Sequence, residues 1–353
     1  MKFSHMIIAG LLIGALAAFF VGYKGDSTPT NVPTFANAVA IAAPSVANIY
    51  TTKHSEQPAT SADSYASRQR QKRLQTRREL SLGSGVIVDD AGLIITNLHV
   101  IKDADEILVL LYDGRNALAR VVGTDRATDL AILQIDLPNL KPAKIGNSEA
   151  MRVGDWVLAI GNPYGFGQSV TAGIVSAKGR YGLNLNTYED YIQTDASINV
   201  GSSGGALING YGELIGINSA IYSQTGGSTG IGLAIPIEIA TKVLTDIVRY
   251  GQVIRGWLGL DVTGLNRVIA AQLGIDQTSG VIITDIQRGG PADKAGLRID
   301  DIIIAINKEQ ITSGQEGLLK VANLEPGKEI EIGFIRDGKR SKTHAILGIR
   351  PPQ

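Results

Sequence analysis

Cysteine is missing from all 353 residues, which excludes disulfides, thiolate catalysis and cysteine-ligated zinc. The four histidines, His5, His54, His99 and His344, are scattered without metal-ligand spacing, so no metal site is expected and no cofactor is called for. Charge is sparse: 19% of residues carry it and the sum is zero, so no global field draws nucleic acid. The one basic run, six Lys and Arg between Arg68 and Arg78, has no interleaved aromatic residue. It reads as part of a long solvated loop or frayed helix over 53–79 rather than as a nucleic-acid surface. Helix-favouring runs are few against 42 glycines, and 44% hydrophobic content supports real cores. Together these point to a β-rich chain of two, or three small, domains.

The N-terminus carries an 18-residue uncharged apolar run, 6–23, between Lys2 and Lys24. That length is at the short end for a membrane span. The competing reading is a signal peptide cleaved near Ala15-Leu16-Ala17. Cleavage there leaves Ala18-Phe19-Phe20-Val21 as an apolar tail, so an uncleaved anchor is preferred; both readings place the remainder outside the cytoplasm. A Pro-containing linker, 26–34, follows. From Gly83 onward, short apolar runs at 83–88, 93–96, 107–111, 117–122 and 131–135 alternate with turn residues such as Asp113-Gly114. After a two-proline crossing at 136–142, a second set follows at 156–160, 170–177, 190–194, 206–208, 214–220 and 232–235. The even spacing favours two β-barrels over βαβ units. Pro236 then opens a helix with Ala240, Val243, Leu244, Ile247 and Val248 on one stripe, stopped by Gly251. Residues 257–349 read as a further unit with strands at 280–286, 302–306, 329–335 and 342–347, and helices at 291–297 and 315–324.

Three residues sit at strand ends or turns of the two barrel-like halves. His99 follows Thr96-Asn97-Leu98, Asp129 precedes Leu130-Ala131-Ile132-Leu133, and Ser203 lies in the loop Gly201-Ser202-Ser203-Gly204-Gly205. A serine hydroxyl becomes a nucleophile when a histidine accepts its proton and an acid orients that histidine. His…Asp…Ser is the chain order of the chymotrypsin arrangement. The tight turn supplies backbone N–H groups of Gly201 and Ser203 as oxyanion donors.

At these residues the sequence resembles the HtrA (Deg) family of exported serine proteases. Thr96-Asn97-Leu98-His99-Val100, Thr128-Asp129-Leu130-Ala131 and Asn199-Val200-Gly201-Ser202-Ser203-Gly204-Gly205-Ala206 match its three catalytic motifs. The resemblance implies a mainly β fold, a chymotrypsin-like double barrel followed by one PDZ domain. It divides the chain into an anchor and linker at 1–34, a protease domain at 35–251 and a PDZ domain at 252–353. It also implies an oxyanion hole at Gly201, Ser202 and Ser203, and a specificity-pocket strand at Ile231, Gly232, Leu233, Ala234 and Ile235. Ser202 departs from the family's usual Asn and adds a second hydroxyl; the Gly-Gly after Ser203 selects Ser203. Trp257, Leu258, Gly259 and Leu260 match the PDZ loop that receives a peptide carboxylate. A single PDZ domain with an uncleaved anchor resembles the DegS branch, and Arg180 matches a family arginine that relays between PDZ domain and active site. That likeness implies a homotrimer in the inner membrane with its catalytic domain in the periplasm. In that branch C-terminal peptides of misfolded outer-membrane proteins relieve inhibition and the protein substrate is a membrane-spanning anti-sigma factor, and the resemblance implies the same here. The 35–39 segment resembles the trimer contact. Two other readings stand beside it: a soluble degradative protease and chaperone of the same family, and a non-catalytic PDZ scaffold.

Overall fold

The computed structural model describes residues 34–55, 77–163, 167–221, 229–272 and 279–351. The chain divides into two units, Met1–Ala36 and Asn37–Gln353. The expected anchor at 6–23 lies outside the described residues; among the described residues no helix is long and apolar enough to cross a membrane. A short helix, α1 (Ala36–Ala42), and one 3-10 turn through Pro44 lead into the first strand.

The first half of the protease region is an antiparallel sheet of β1 (Val46–Ser55), β2 (Arg77–Ile87), β3 (Leu93–Asn97), β4 (Glu106–Leu110), β5 (Asn116–Leu118), β6 (Arg120–Asp125) and β7 (Leu130–Gln134). Its order is β5-β4-β1-β2-β3-β7-β6. The expected closed barrel is thus not completed by a strand ladder: β5 and β6, at the two ends of the order, are joined through the chain at Ala119, whose N–H donates to Ile107 (2.8 Å). The run read as one strand at 117–122 is split there, because its two parts pair with different partners, β4 and β7. Both ends of the segment read as a loop are strand: His54 pairs with Arg78 and Ser55 with Arg77. Backbone pairing in a ladder satisfies N–H and C=O groups whatever the polarity of the side chains, which is why composition hid it. Residues 56–76 lie outside the described residues.

The second half is a closed barrel of β8 (Trp156–Gly161), β9 (Ser169–Arg180), β10 (Tyr191–Thr194), β11 (Ala206–Asn209), β12 (Leu214–Ile221) and β13 (Gly232–Pro236), in the order β10-β13-β12-β11-β8-β9. All six correspond to expected runs. A four-residue helix, α2 (Leu98–Ile101), follows β3. Helix α3 (Ile237–Tyr250) ends at Gly251, which takes a left-handed φ of 72° and donates to Ile247 (2.9 Å). Ala240, Val243 and Ile247 are buried as the stripe requires, but Val248 is exposed and Asp246 takes the inward place. Asp246 is satisfied there by Lys242 Nζ (2.8 Å) and Ile254 N (3.1 Å). Ile247 packs against Gly123 of β6, so the helix returns from the second half to the first.

Beyond it, β14 (Gly256–Trp257) pairs with β21 (Gly348–Ile349). The main sheet runs β15 (Leu260–Gly264), β16 (Val281–Ile286), β17 (Ile302–Ile306), β19 (Glu329–Arg336) and β20 (Lys339–Ile346), with β18 (Glu309–Gln310) on β17. Helices α4 (Arg267–Gln272), α5 (Pro291–Lys294) and α6 (Gly314–Ala322) accompany it. Ser313 Oγ accepts from Glu316 N (3.2 Å) and Glu316 accepts from Thr312 N (2.9 Å), a reciprocal cap that starts α6.

The strand that carries the site, β7, is buried from Leu130 to Leu133. Leu133→Ala is expected to destabilise the protein by about 2–5 kcal/mol, read by urea unfolding. A midpoint equal to wild type would show that this strand does not bear the packing described.

Candidate active site

The register of β3 on β7 pairs Asn97 with Leu130, which sets Asp129 beside the first turn of α2. Asp129 holds a left-handed φ of 61°, strained for a residue with a Cβ, and four hydrogen bonds repay that strain. Its carbonyl accepts from Leu98 N (3.0 Å) and Asn97 Nδ2 (3.0 Å). Its carboxylate accepts from His99 N (2.9 Å) and meets His99 Nδ1 at 2.5 Å. An ionised carboxylate only accepts, so the Nδ1 proton lies between them and Nε2 is left bare to take a proton. The imidazole is 47% exposed and the Asp129 side chain 18%, so the ring faces the cleft while its orienting acid is partly covered.

Ser203 lies on the loop between β10 and β11. Gly201 (φ 96°) and Gly204 (φ 82°) turn the chain there, and a Cβ at Gly204 would stand 2.1 Å from the Ser84 carbonyl oxygen. Only glycine fits. Gly204 N donates to Asn218 (2.7 Å), and Ser203 O accepts from Ser84 N (2.8 Å). The Ser203 hydroxyl donates to the carbonyl of Ser219 (3.1 Å), and among the described residues no hydrogen bond joins it to His99. Ser202 is buried at 6% exposure, with its Cα against Gly161, whereas Ser203 is half-buried. Burial therefore favours Ser203 over Ser202 as the reactive hydroxyl. Among the described residues the amides of Gly201 and Ser203 donate to no backbone carbonyl, as oxyanion donors require. Behind the site, burial pushes the Tyr191 phenol up to about 12, so it stays neutral; Asn186 Nδ2 donates to it (2.5 Å).

The expected pocket strand divides by face. Ala234 belongs to the barrel core and Gly232 faces Ile198 of that core, so Ile231, Leu233 and Ile235 lie on the other face, where Leu233 and Ile235 are also buried. A cleft of about 900 Å³ runs from His99 and Asp129 past Tyr188 to Arg255 and Arg350. Arg180 is exposed, and its Nε donates to Gln193 (2.9 Å) across β9 and β10.

Sequence reasoning missed the residues that join the protease and C-terminal regions. Arg255 forms a two-pronged pair with Asp125 (3.0 and 2.5 Å) and lies over the Tyr188 ring at 4.4 Å, with Arg350 at 5.3 Å. Gln315 Nε2 donates to Thr187 (2.8 Å). None has a local pattern that signals it. In the C-terminal region, Trp257, Leu258, Gly259 and Leu260 line an apolar cavity of about 90 Å³ with Val262, Gly317 and Leu318 of β15 and α6. Strand β15 ends the order of its sheet, leaving that edge open to a further strand. The Leu258 and Gly259 carbonyls are taken by Ala292 N (2.9 Å) and Gln287 N (2.8 Å), which fixes the loop.

Family profiles match as a trypsin-like peptidase domain over residues 83–217 and a PDZ domain over 256–347. A probable periplasmic serine endoprotease, DegP-like, of Pseudomonas savastanoi is 46% identical over 277 residues, 78% of this chain. The chain spans only 58% of that relative's length. The serine endoprotease DegS of Escherichia coli is 39% identical over 96% of this chain and 95% of its own. The solved structure of the HtrA-type protease AlgW with a decapeptide superposes with a TM-score of 0.76 at 46% identity, covering 91% of this chain and 100% of that one.

A fluorophosphonate probe is expected to label Ser203. Ser203→Ala should abolish the adduct and Ser202→Ala should keep it, as mapped by mass spectrometry. An adduct on Ser202 would reverse the assignment.

Proposed function

Because the chain belongs to the HtrA family of serine endoproteases, we propose that it is a periplasmic serine endopeptidase in which Ser203 attacks the scissile carbonyl of a protein substrate. His99 Nε2 takes the hydroxyl proton and returns it to the leaving amine, while Asp129 holds the imidazole in the required tautomer. The amides of Gly201 and Ser203, with the turn at Ser202 between them, receive the oxyanion. The observation that carries this reading is the 2.5 Å His99–Asp129 contact, placed by the β3–β7 register. In this structure the Ser203 hydroxyl is bonded to the Ser219 carbonyl rather than to His99, so that bond is exchanged before attack.

The finer reading follows the DegS branch. The protease domain is 35–251 and the PDZ domain 252–353; the run 6–23 anchors the chain in the inner membrane as part of a homotrimer. The C-termini of misfolded outer-membrane proteins bind at Trp257–Leu260 beside β15, and the substrate is a membrane-spanning anti-sigma factor. Support comes from the match to DegS over 95% of its length and from the decapeptide held by AlgW. The Arg255–Asp125 pair and the Gln315–Thr187 bond supply contacts through which a PDZ ligand acts on the protease, with Arg180 on the neighbouring strand β9. The soluble degradative reading rests on the higher identity, 46%, to the DegP-like relative, of which the chain spans 58%. Fractionation of the intact protein separates the two.

Peptides with a free carboxylate and an apolar last residue are expected to raise cleavage about 5–150-fold, the range of ordinary coupling energies, and amidated ones not to. Removal of residues after Tyr250 should abolish that response; an equal response in the truncated protein would exclude the PDZ domain as sensor. The 231/233/235 face holds three aliphatic side chains and no acid. Cut sites mapped by mass spectrometry should therefore follow Val or Ala, and cuts mainly after Lys or Arg would refute that pocket.

A further inference from the structure

Ser84 stands between two glycines in the middle of β2 and is completely buried. A hydroxyl at such a place in an aliphatic strand costs free energy unless it is fully bonded. Here it is: Ser84 Oγ donates to Gly201 O (2.8 Å) and accepts from Asn162 N (3.0 Å). Its own backbone is engaged as well, Ser84 N to Ser203 O (2.8 Å) and Thr96 Oγ1 to Ser84 O (2.7 Å). One residue of the first half therefore grips the loop of the second half on both sides of Ser202.

The peptide plane between Gly201 and Ser202 shows what the side chain adds. Its carbonyl is held by Ser84 Oγ and its N–H by Asn199 O (2.9 Å). Gly201 has no Cβ, so sterics do not select its φ of 96° over other values. Hydrogen bonds must make that selection, and the bond to Gly201 itself is the one from Ser84. Resting on the reading that Ser203 is the nucleophile, we propose that Ser84 is a positioning residue: by holding the Gly201 carbonyl its hydroxyl fixes the Gly201–Ser202 plane and so restricts φ and ψ at Gly201, the torsions that set whether the Gly201 N–H on the preceding peptide faces the developing oxyanion. Ser84 touches no reacting atom. It acts through Gly201, and the interaction it supports grows in the transition state.

A group of this kind changes kcat and leaves substrate binding alone. Loss of an oxyanion donor itself costs about 10²–10³ in kcat. Ser84→Ala, which loosens one donor without removing it, is expected to lower kcat about 10–100-fold with KM within about threefold. The measurement uses the full chain and a fluorogenic peptide with valine before the cleaved bond. Affinity for the matching peptide boronate, whose tetrahedral adduct fills the oxyanion hole, should fall in parallel with kcat/KM. Ser84→Cys keeps the shape with a weaker donor and should lie between wild type and Ser84→Ala. Ser45→Ala is the control for simple loss of a buried hydroxyl, since Ser45 is 1% exposed and donates to Ala42 O (2.7 Å) away from the loop. It should lose thermal stability and keep kcat.

Ser203→Ala is measured alongside. If Ser203→Ala still turns over, the nucleophile reading fails. If Ser203→Ala is inactive while Ser84→Ala has wild-type kcat, or only a raised KM, the positioning role of Ser84 fails by itself. Should Ser84→Ala not fold, Ser84→Cys decides: reduced kcat at constant KM upholds the proposal, and wild-type kcat overturns it.

Discussion

The site depends on one residue in an unfavourable backbone conformation. Asp129 sits at φ 61° and spends both its carbonyl and its carboxylate on residues 97–99. The carbonyl ties down the start of α2, and the carboxylate fixes the backbone and ring of His99 together. Position and tautomer of the imidazole thus come from the same side chain. The strain is tolerable because Leu130 to Leu133 next to it are wholly buried and in register with β3, so the strand cannot slip to relieve it. A slip by one residue would send every one of these buried side chains to the opposite, equally packed face.

The second constraint is the fit between the halves. The catalytic loop is built of glycine and serine, which have little preference of their own, and it takes its shape from what it meets. Ser84 meets it from β2, Gly161 of β8 lies against Ser202, and Asn218 of β12 holds Gly204. Glycine is needed at 204 because Ser84 of the first half approaches closer than a Cβ allows, and at 161 because Ser202 of its own half does. A loop of this composition is cheap to rearrange when its supports move.

The contacts between the protease and PDZ regions have a different character. Arg255 and Asp125 are 12% and 8% exposed, so their pairing is shielded from solvent, and Tyr188 is flanked by two guanidinium groups. Breaking a shielded pair of this sort leaves an uncompensated charge, so the two regions separate at a cost rather than drifting apart. Asp125 also accepts from Thr128 Oγ1 (2.5 Å), one residue before Asp129. The joint between the regions and the acid of the site are therefore neighbours on one turn.

Much of this was legible in the sequence. The short apolar runs between turn residues located the six strands of the closed barrel, Pro236 and Gly251 bounded α3, and three motifs named His99, Asp129 and Ser203, because apolar runs, caps and small-residue turns are local signals. Tertiary structure decided the rest. Ser84 read as one more strand residue, since nothing local says that Gly201 lies 2.8 Å from its hydroxyl. Asp246 displaced Val248 from the buried stripe because Lys242 and the Ile254 amide could satisfy it. The first sheet is continued by the chain at Ala119 rather than by a ladder, and Arg255 finds Asp125 across 130 residues. Each of these is a partnership between groups far apart in the chain. Residue type determines what a group can bond, and only the fold determines what it meets.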